Sequence, residues 1–280
     1  MEIKGRRVLV TGASSGIGWE TARAFAAAGA EVVAVARRRE RLAVLERLLD
    51  GAATVLVADL AEPGAVERVA AEAGTVDVLV NNAGSEAGGA VWAVGDRAEA
   101  RQMFEVDLWA PLALIARLVP GMVARGTGAV VNMTSIRQLV AWPGLGHSAA
   151  AKAALAQATE TLRMELDGTG VGVVEVIPGP VDTAALGASR LLPGFVDLLD
   201  GLFGTGTPEG LAAEIVAAVR DGHDRVLYPP AVRSAYDDPA GTRATLATAA
   251  RERAGTTGDL VVGHDHPLVR DAKEAWERTR

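Results

Sequence analysis

The chain has 280 residues, of which 49% are hydrophobic, enough for one large domain with a substantial buried core. Its formal net charge of −7 disfavours nucleic acids and anionic membranes as partners, and the absence of cysteine excludes thiol catalysis, disulfides and thiolate metal sites. The first residues lack the apolar core of a signal peptide, and no apolar run approaches the ~20 residues needed to cross a bilayer. We therefore expect a cytoplasmic protein with no membrane partner.

The first apolar strand, residues 7–10, leads into the glycine-rich loop Thr11-Gly12-Ala13-Ser14-Ser15-Gly16-Ile17-Gly18. A segment with helical spacing of apolar residues follows the loop, and a second strand, residues 31–36, completes the unit. Glycines at these positions allow a sharp turn and a close approach to a pyrophosphate, whose charge meets free N–H groups at a helix N-terminus. The pattern therefore predicts a dinucleotide site that includes Gly12, Ser14, Ser15, Gly16, Ile17 and Gly18.

Three arginines, Arg37, Arg38 and Arg39, follow the second strand, where an acidic residue would accept hydrogen bonds from the adenosine ribose. A guanidinium there can instead bind a 2′-phosphate, which favours NADP(H), with Arg37 as the main contact and Arg38 as a helper. The alternative is a solvated basic helix start, which is our interpretation of Arg39.

Five further strands are predicted at residues 54–58, 76–80, 129–133, 173–177 and 225–228, with a long helix over 96–118. The predicted fold is α/β: a doubly wound, mostly parallel seven-stranded sheet with helices on both faces. Asp59 and Leu60 end the third strand, although Asp59 could simply cap the helix near Pro63. The fourth strand is followed by Asn81-Asn82-Ala83-Gly84.

The glycine spacing, the N-N-A-G run, a serine after the fifth strand, a downstream lysine and the run P-G-P-V-x-T together resemble the short-chain dehydrogenase/reductase family over residues 1–230. The resemblance implies that Ser135 orients the substrate oxygen and that Lys152 binds the nicotinamide ribose. It also implies the other cofactor contacts, namely Asp59 and Leu60 at the adenine, Asn82, Ala83 and Gly84 at the second ribose, and Pro178, Gly179, Val181 and Thr183 at the carboxamide.

Two positions depart from the family's pattern. The family's proton-donating tyrosine is Ser148 here, and a helix asparagine that holds a water of the proton relay is Asp107. Ser148 is a much poorer acid than a phenol and its side chain is shorter. The alternatives that we keep open are a catalytic His147, a Ser148–Lys152 pair or water relay, a Ser148 nucleophile, and a substrate that brings its own acid. Asp107 could equally be a structural partner of a nearby base.

Residues 184–206 are apolar with interspersed glycines, and they predict a lid over a hydrophobic substrate or, alternatively, a helix pair at a subunit interface. We place one Rossmann-type domain at residues 1–238 and a C-terminal helical extension, with helices over 242–254 and 267–280, at residues 239–280. His264 and His266 lack a third ligand, so no metal site is predicted.

The sequence thus favours an NADP(H)-dependent oxidoreductase, of ketoreductase or alcohol dehydrogenase type, that acts on a fairly apolar carbonyl or alcohol through a non-standard proton relay. The candidate catalytic residues are Ser135, Ser148, Lys152 and Asp107. The alternatives are a non-redox dehydratase, isomerase or cyclase on the same scaffold, and a catalytically silent NADP(H)-binding protein. A homodimer or homotetramer is expected from the resemblance alone.

Overall fold

Seven strands of the computed structural model, which describes residues 1–85, 91–142, 144–184, 186 and 195–257, pair into one parallel sheet. The strands are β1 Arg7–Thr11, β2 Glu31–Ala36, β3 Ala53–Val57, β4 Val78–Asn81, β5 Gly128–Met133, β6 Val171–Pro178 and β7 Arg225–Tyr228. Their order in the sheet is β3-β2-β1-β4-β5-β6-β7, so the winding direction reverses between β1 and β4. This reversal opens a crevice at the carboxyl edge of the sheet, where ligands bind in doubly wound folds. The predicted fold class is confirmed, and every pairing between the described strands is parallel.

Helices connect the strands on both faces. The described helices are α1 Gly16–Ala27, α2 Arg39–Leu48, α3 Ala65–Ala73, α4 Val91–Val94, α5 Ala98–Phe104, α6 Ala110–Arg125, α7 Gly146–Glu165, α8 Phe195–Phe203, α9 Pro208–Asp221, α10 Val232–Asp237 and α11 Pro239–Thr257. Short turns of π-helix at Glu105–Trp109 and of 3-10 helix at Ile136–Gln138 lie beside the crevice.

Alternating residues of β1 show why both faces of the sheet are covered. Val8 and Val10 pack into a cluster with Phe25 of α1 and Ile215 of α9. Leu9, between them, packs into a second cluster that includes Leu114 of α6. Because side chains alternate along a strand, a strand that is apolar at every position needs helices on both sides, and this strand has them.

Helix α6 continues further than the sequence indicated. We expected the long helix to end at Leu118, before Pro120, but the helix runs to Arg125 and ends at Gly126, which has the left-handed φ of 67°. Proline removes one helical hydrogen bond, and here it lies on the exposed side, where water can satisfy the carbonyl that loses its donor. The continuous helix over 98–125 is long and apolar enough to cross a membrane, with a mean hydropathy of 1.5. Half of that stretch is buried inside the protein, as expected for a core helix.

A third apolar cluster lies beyond the carboxyl edge of β5 and β6. It joins Ile136 and Trp142 of the loop after β5 to Leu199 and Phe203 of α8 and to Leu246 of α11. The first helix of the predicted C-terminal extension therefore packs against the main domain. The helix expected over residues 267–280 lies outside the described residues.

Candidate active site

A cavity of about 480 Å³ lies at the carboxyl edge of the sheet. The candidate catalytic and cofactor-binding residues all line it except Gly179 and Val181. The lining residues from the sequence are Gly12, Ser14, Ser15, Gly16, Ile17, Gly18, Arg37, Arg38, Asp59, Leu60, Asn82, Ala83, Gly84, Asp107, Ser135, Ser148, Lys152, Pro178 and Thr183. The topology thus brings distant residues together in one groove. Gly12 and Thr183, for example, lie 171 positions apart in the chain.

The glycine loop packs so closely against Asn82 and Ala83 that side chains at Gly12 and Gly18 would clash with them. Gly12 has a left-handed φ of 71°, and a Cβ atom there would lie 2.8 Å from Nδ2 of Asn82. A Cβ atom at Gly18 would lie 2.5 Å from the carbonyl oxygen of Gly12. Helix α1 begins at Gly16 with no acidic residue in its first turn, so its free N–H groups can meet an anion. The loop therefore fits a pyrophosphate.

Hydrogen bonds of Thr11 and Asn82 hold the end of β4 against the end of β1, where the glycine loop starts. Asn82 Nδ2 donates to the carbonyl oxygen of Thr11 at 2.8 Å, and the amides of Asn82 and Ala83 both donate to Thr11 Oγ1. Asn81 donates to Asn132 of β5 at 2.8 Å. These bonds hold the backbone of the N-N-A-G run against β1, which keeps the floor of the cavity free of large side chains.

Arg38 is the arginine most closely joined to the glycine loop. Its guanidinium donates to Ser14 Oγ at 2.9 Å and to Ser15 Oγ at 2.6 Å. Arg37, which we expected to be the main phosphate contact, is 66% exposed and lies 3.6 Å from a carboxylate oxygen of Asp59. Both arginines line the cavity, and which of them is the main phosphate contact stays a prediction.

Sequence analysis missed Arg41, which strengthens the same basic corner. Its Nε donates to the carbonyl oxygen of Ser14 at 3.3 Å, and its guanidinium lies over the Trp19 ring, 4.6 Å from the centroid. The signal was available, because Arg41 follows Arg38 by three residues at the start of a predicted helix and so lies on the same side. Arg39, at the first position of α2, is exposed as expected.

Asp59 has two contacts in the structure. Besides the ion pair with Arg37, its Oδ1 accepts a hydrogen bond from the amide of Ala61 at 3.0 Å. Helix α3 begins only at Ala65, after Gly64, so Asp59 shapes the turn after β3 and does not cap the helix. Leu60 lines the cavity beside it.

Lys152 and Asp107 form a buried ion pair at the other end of the cavity. The ammonium lies 3.0 Å from Asp107 Oδ1, with side-chain exposures of 12% and 3%. Lys152 also donates to the carbonyl oxygen of Met133, and Asp107 Oδ2 accepts from the amide of Ser85 at 2.8 Å. Asp107 lies in the π-helical turn, a local irregularity that often marks functional sites. The structure thus identifies Lys152 as the base that pairs with Asp107.

Ser135 and Ser148 are joined through one residue that sequence analysis did not identify. The amide of Arg137 donates to Ser135 Oγ at 3.2 Å, and Arg137 Nη1 donates to Ser148 Oγ at 3.1 Å. All three residues line the cavity, and Ser148 is buried. The 3-10 turn after β5 brings Arg137 to this position, and α7 brings Ser148.

His147 points away from the cavity. Its Nε2 lies 2.7 Å from the carbonyl oxygen of Gly95, and the side chain is not among the residues that line the cavity. Adjacent positions of a helix differ by about 100°, so Ser148 and its neighbour face different surroundings. The structure therefore gives no support to a catalytic His147.

Gly179 and Val181 lie behind the cavity wall. The amide of Gly179 donates to the carbonyl oxygen of Tyr228 at 2.7 Å, and Val181 is buried beside Gly206, with which it forms an isolated bridge. Their backbone positions the next turn, in which Thr183 and Ala184 reach the cavity. Neither residue lines the cavity, and their assignment as carboxamide contacts stays a prediction.

Some apolar residues of the predicted lid pack against other apolar side chains. Leu199 and Phe203 are buried in the third apolar cluster, with Ile136 and Trp142. Residues 185 and 187–194, which include Leu191 and Leu192 of that prediction, lie outside the described residues. Packing thus accounts for Leu199 and Phe203 of α8, whereas Leu202 of the same helix is exposed.

Glu175 lies in a buried polar network under Thr134, the residue before Ser135. Its Oε1 accepts from Thr134 Oγ1 and from Gln138 Nε2, and its Oε2 accepts from Arg225 Nε at 2.9 Å. Burial lowers the pKa of the Arg225 guanidinium, but its hydrogen bond to Glu175 and the negative charge of Glu175 raise it. The net result is a pKa above the usual value. The network fixes both ends of the turn that carries Arg137.

The match to a family model agrees with this arrangement. The model for short chain dehydrogenases matches residues 6–191, which contain the glycine loop, the N-N-A-G run and the catalytic-end residues. The chain belongs to the short-chain dehydrogenase/reductase family.

Relatives in other organisms resemble it at moderate identity. It is 39% identical over 192 residues to a short chain dehydrogenase of Pseudocercospora fijiensis, a match that covers 65% of this chain and 62% of that protein. It is 32% identical over 234 residues to the ketoacyl reductase HetN of a Nostoc species, covering 80% of this chain and 79% of the relative. Among solved structures, a gluconate 5-dehydrogenase candidate from Beutenbergia cavernae is 32% identical, with a TM-score of 0.72 over 81% of this chain and 96% of that one.

Proposed function

We propose that this oxidoreductase uses NADP(H) and interconverts a carbonyl compound and an alcohol. The observation that carries the proposal is the single groove in which the glycine cradle and basic corner at one end meet Ser135 and Lys152 at the other. A bound nicotinamide cofactor would supply or accept the hydride. The loop fits its pyrophosphate, because it lines the cavity and ends at the start of α1, whose free N–H groups can meet an anion.

Preference for NADP(H) is supported by the basic corner. Arg37 and Arg38 directly follow β2, at the position where an acidic residue would bind the ribose. Arg38 donates hydrogen bonds to Ser14 and Ser15 of the glycine loop. A guanidinium at this position favours a 2′-phosphate and a carboxylate disfavours it. Three of the similar solved structures carry NADP and one carries NAD, so relatives of this fold use either cofactor.

The reacting end supports a proton relay without a phenol. The described residues include two tyrosines, Tyr228 and Tyr236, and neither lines the cavity. Ser135 and Ser148 present hydroxyl groups to the cavity, and Lys152 is held by Asp107 and by the carbonyl oxygen of Met133. In the proposed reaction Ser135 orients the substrate oxygen and Ser148 passes a proton from water. A fairly apolar substrate body remains part of the proposal.

A non-redox reaction on the same scaffold is the second candidate. It is favoured by the absence of a tyrosine among the described lining residues and by the presence of a buried carboxylate, Asp107, beside a lysine. Such a pair suits proton abstraction and return, as in a dehydratase or an isomerase. A silent NADP(H)-binding protein would keep the cradle and lack turnover.

The deciding experiment is a titration with NADPH followed by a panel of aryl and alkyl ketones. Nicotinamide fluorescence reports binding, and absorbance of the reduced nicotinamide reports consumption. We expect binding and ketone-dependent consumption, with one alcohol formed for each NADPH oxidised. Binding without consumption across the panel would reject the reductase and favour the second candidate. Absence of binding would reject the cofactor assignment.

A further inference from the structure

Asp107 puts a negative charge beside Lys152 at the reacting end of the cavity. The family's pattern has an asparagine at this position, and an asparagine side chain carries no charge. We propose that Asp107 determines which redox form of the cofactor this site prefers, because its carboxylate favours binding of the oxidised form, NADP⁺, over the reduced form, NADPH. The inference rests on the proposed NADP(H) function.

The carboxylate of Asp107 is fixed in position and shielded from water. Its side chain is 3% exposed, and its Oδ1 lies 3.0 Å from the ammonium of Lys152. Its Oδ2 accepts a hydrogen bond from the amide of Ser85 at 2.8 Å. Salt screens buried charges much less than exposed ones, so the field of this carboxylate persists inside the cavity.

The proposed function puts the nicotinamide at the end of the cavity that Asp107 lines. The glycine loop takes the pyrophosphate and the basic corner takes the 2′-phosphate, so the rest of the cofactor extends toward Ser135 and Lys152. Asp107 also lies against the end of the N-N-A-G run, since a Cβ atom at Gly84 would be 3.2 Å from its Oδ1. Its charge therefore acts on the nicotinamide end of the cofactor more than on the adenosine end.

The two redox forms of the cofactor differ in charge at this end only. The nicotinamide ring is cationic in NADP⁺ and neutral in NADPH, whereas the phosphates and the adenosine are the same in both forms. A lysine ammonium without a carboxylate partner would repel the cationic ring and so disfavour NADP⁺. Because Asp107 is in contact with Lys152, the two charges largely cancel each other's field at the ring, and that penalty is removed.

This preference affects the reduction through the hydride. The hydride, with its two electrons, leaves NADPH for the carbonyl carbon, and the carbonyl oxygen takes a proton that Ser148 passes from water. A site that stabilises NADP⁺ makes bound NADPH a stronger hydride donor. A tenfold change in relative affinity corresponds to about 30 mV in the potential of a bound two-electron couple. The same preference makes NADP⁺ an effective product inhibitor.

The ratio of the Kd for NADP⁺ to the Kd for NADPH tests the proposal in the wild type, in Asp107→Asn and in the double variant Asp107→Asn/Lys152→Met. Nicotinamide fluorescence gives the Kd for NADPH, and displacement of NADPH gives the Kd for NADP⁺. We expect the ratio to rise about tenfold in Asp107→Asn, where the ammonium has lost its partner, and to return near the wild-type value in the double variant, which lacks both charges. A smaller folded fraction affects both constants alike, so it cancels in the ratio.

Glu67→Gln is the control for the loss of one negative charge. Glu67 pairs with Arg117 at 2.7 Å, both side chains are more than half exposed, and neither residue lines the cavity. We expect the wild-type ratio in this variant. Arg137 also lines the reacting end, but it is present in every protein compared, so its charge does not affect the difference between them.

Failure of the inference and failure of the proposed function give different results. An unchanged ratio in Asp107→Asn, or an equal loss of affinity for both forms, rejects the role of Asp107 and makes the residue structural. A raised ratio that persists in the double variant rejects charge compensation. If the wild type binds both forms and reduces no ketone, the reductase is rejected, and the ratios still test Asp107 because they require no turnover. A wild type that binds neither form rejects both proposals.

Discussion

Arg38 is held against the glycine loop before any cofactor binds, which lowers the entropic cost of using it. Its guanidinium is oriented by Ser14 and Ser15, so fewer rotamers are lost when it contacts a phosphate. Arg37 gives charge to the same corner, but its contact with Asp59 neutralises part of it. The preference for NADP(H) over NAD(H) should therefore depend more on Arg38 than on Arg37.

Replacement of Arg38 by glutamine tests this assignment. We expect the Kd for NADPH to rise by about tenfold or more, because hydrogen bonds to charged groups contribute about 1.5–3 kcal/mol, while the Kd for NADH changes little. Both constants can be measured by nicotinamide fluorescence. Arg39→Gln is the matched control, since Arg39 is an exposed neighbour that begins α2. Equal weakening of NADPH and NADH, or no selectivity in the wild type, would contradict the prediction.

The Lys152–Asp107 pair should contribute to stability as well as to the site. Asp107→Asn removes the charge that compensates a largely buried ammonium, and the loss of one partner from a buried pair is strongly destabilising. Because the cavity is open to solvent at Lys152, we expect a loss of about 2 kcal/mol in the free energy of unfolding, below the 3–5 kcal/mol of fully buried pairs. Denaturant unfolding measures it.

Glu67→Gln provides the comparison for an exposed pair. Glu67 lies 2.7 Å from Arg117, but both side chains are more than half exposed. Such pairs contribute about 0–1 kcal/mol. Equal losses of unfolding free energy in Asp107→Asn and Glu67→Gln would show that the buried ion pair contributes no more to stability than the exposed pair.

The glycine loop between β1 and α1 sets how closely the start of that helix approaches the N-N-A-G run. A methyl group at Gly18 would clash with Nδ2 of Asn82 and lie 2.5 Å from the carbonyl oxygen of Gly12. We expect Gly18→Ala to abolish NADPH binding and to lower stability by about 1–3 kcal/mol, as overpacking does. Fluorescence titration and denaturant unfolding report the two effects.

Gly201→Ala is the control for that change. Gly201 lies within α8 and has no atom within 4 Å of the position that a Cβ atom would take. Alanine is the better helix former, so stability should be equal or slightly higher and NADPH binding unchanged. Normal NADPH affinity in Gly18→Ala would show that the loop is looser than its contacts indicate.

The strands and their terminal motifs could be predicted from the sequence because two regular patterns reinforce each other. Buried parallel strands are continuous apolar runs, and the carboxyl ends of such strands meet at one edge. The residues after β1, β2, β3, β4 and β5 were therefore expected near each other, and they line the same cavity. The bounds of the predicted strands differ from the observed ones by at most two residues at each end.

The contacts of Arg137 could not be predicted in the same way. Nothing in the residues around it marks a site, and its bond to Ser148 depends on how the turn after β5 packs against α7. An apolar run likewise does not indicate which surface it covers, and the lid over residues 184–206 stays a prediction. Leu199 and Phe203 cover Trp142 and Leu246.

The third apolar cluster links the C-terminal region to the reacting end of the cavity. Leu246 of α11 is buried with Ile136, which directly precedes Arg137, and Arg243 donates to the carbonyl oxygen of Leu139 at 2.9 Å. The main domain, predicted to end at residue 238, and helix α11 of the predicted extension thus share one apolar cluster. Helix α11 supports the turn that carries Arg137 from the outside.

One apolar surface has no covering element among the described residues. Helix α6 and the turn before it expose Trp109, at 54%, and Val123, at 38%, on the same side, with small apolar residues between them. Surfaces of this kind mark protein–protein contacts. We propose that two copies of the chain pack here, in agreement with the homodimer or homotetramer expected from the family resemblance.

Replacing Trp109 by lysine tests this contact. A lysine at the centre of an apolar interface introduces a charge that must be desolvated, so the assembly should dissociate to a smaller species in size-exclusion chromatography with light scattering. Leu48→Lys is the control, because Leu48 is 60% exposed at the C-terminal end of α2. We expect Leu48→Lys to elute as the wild type does. A monomeric wild type would refute the oligomer, and an unchanged mass in Trp109→Lys would place the interface on another surface.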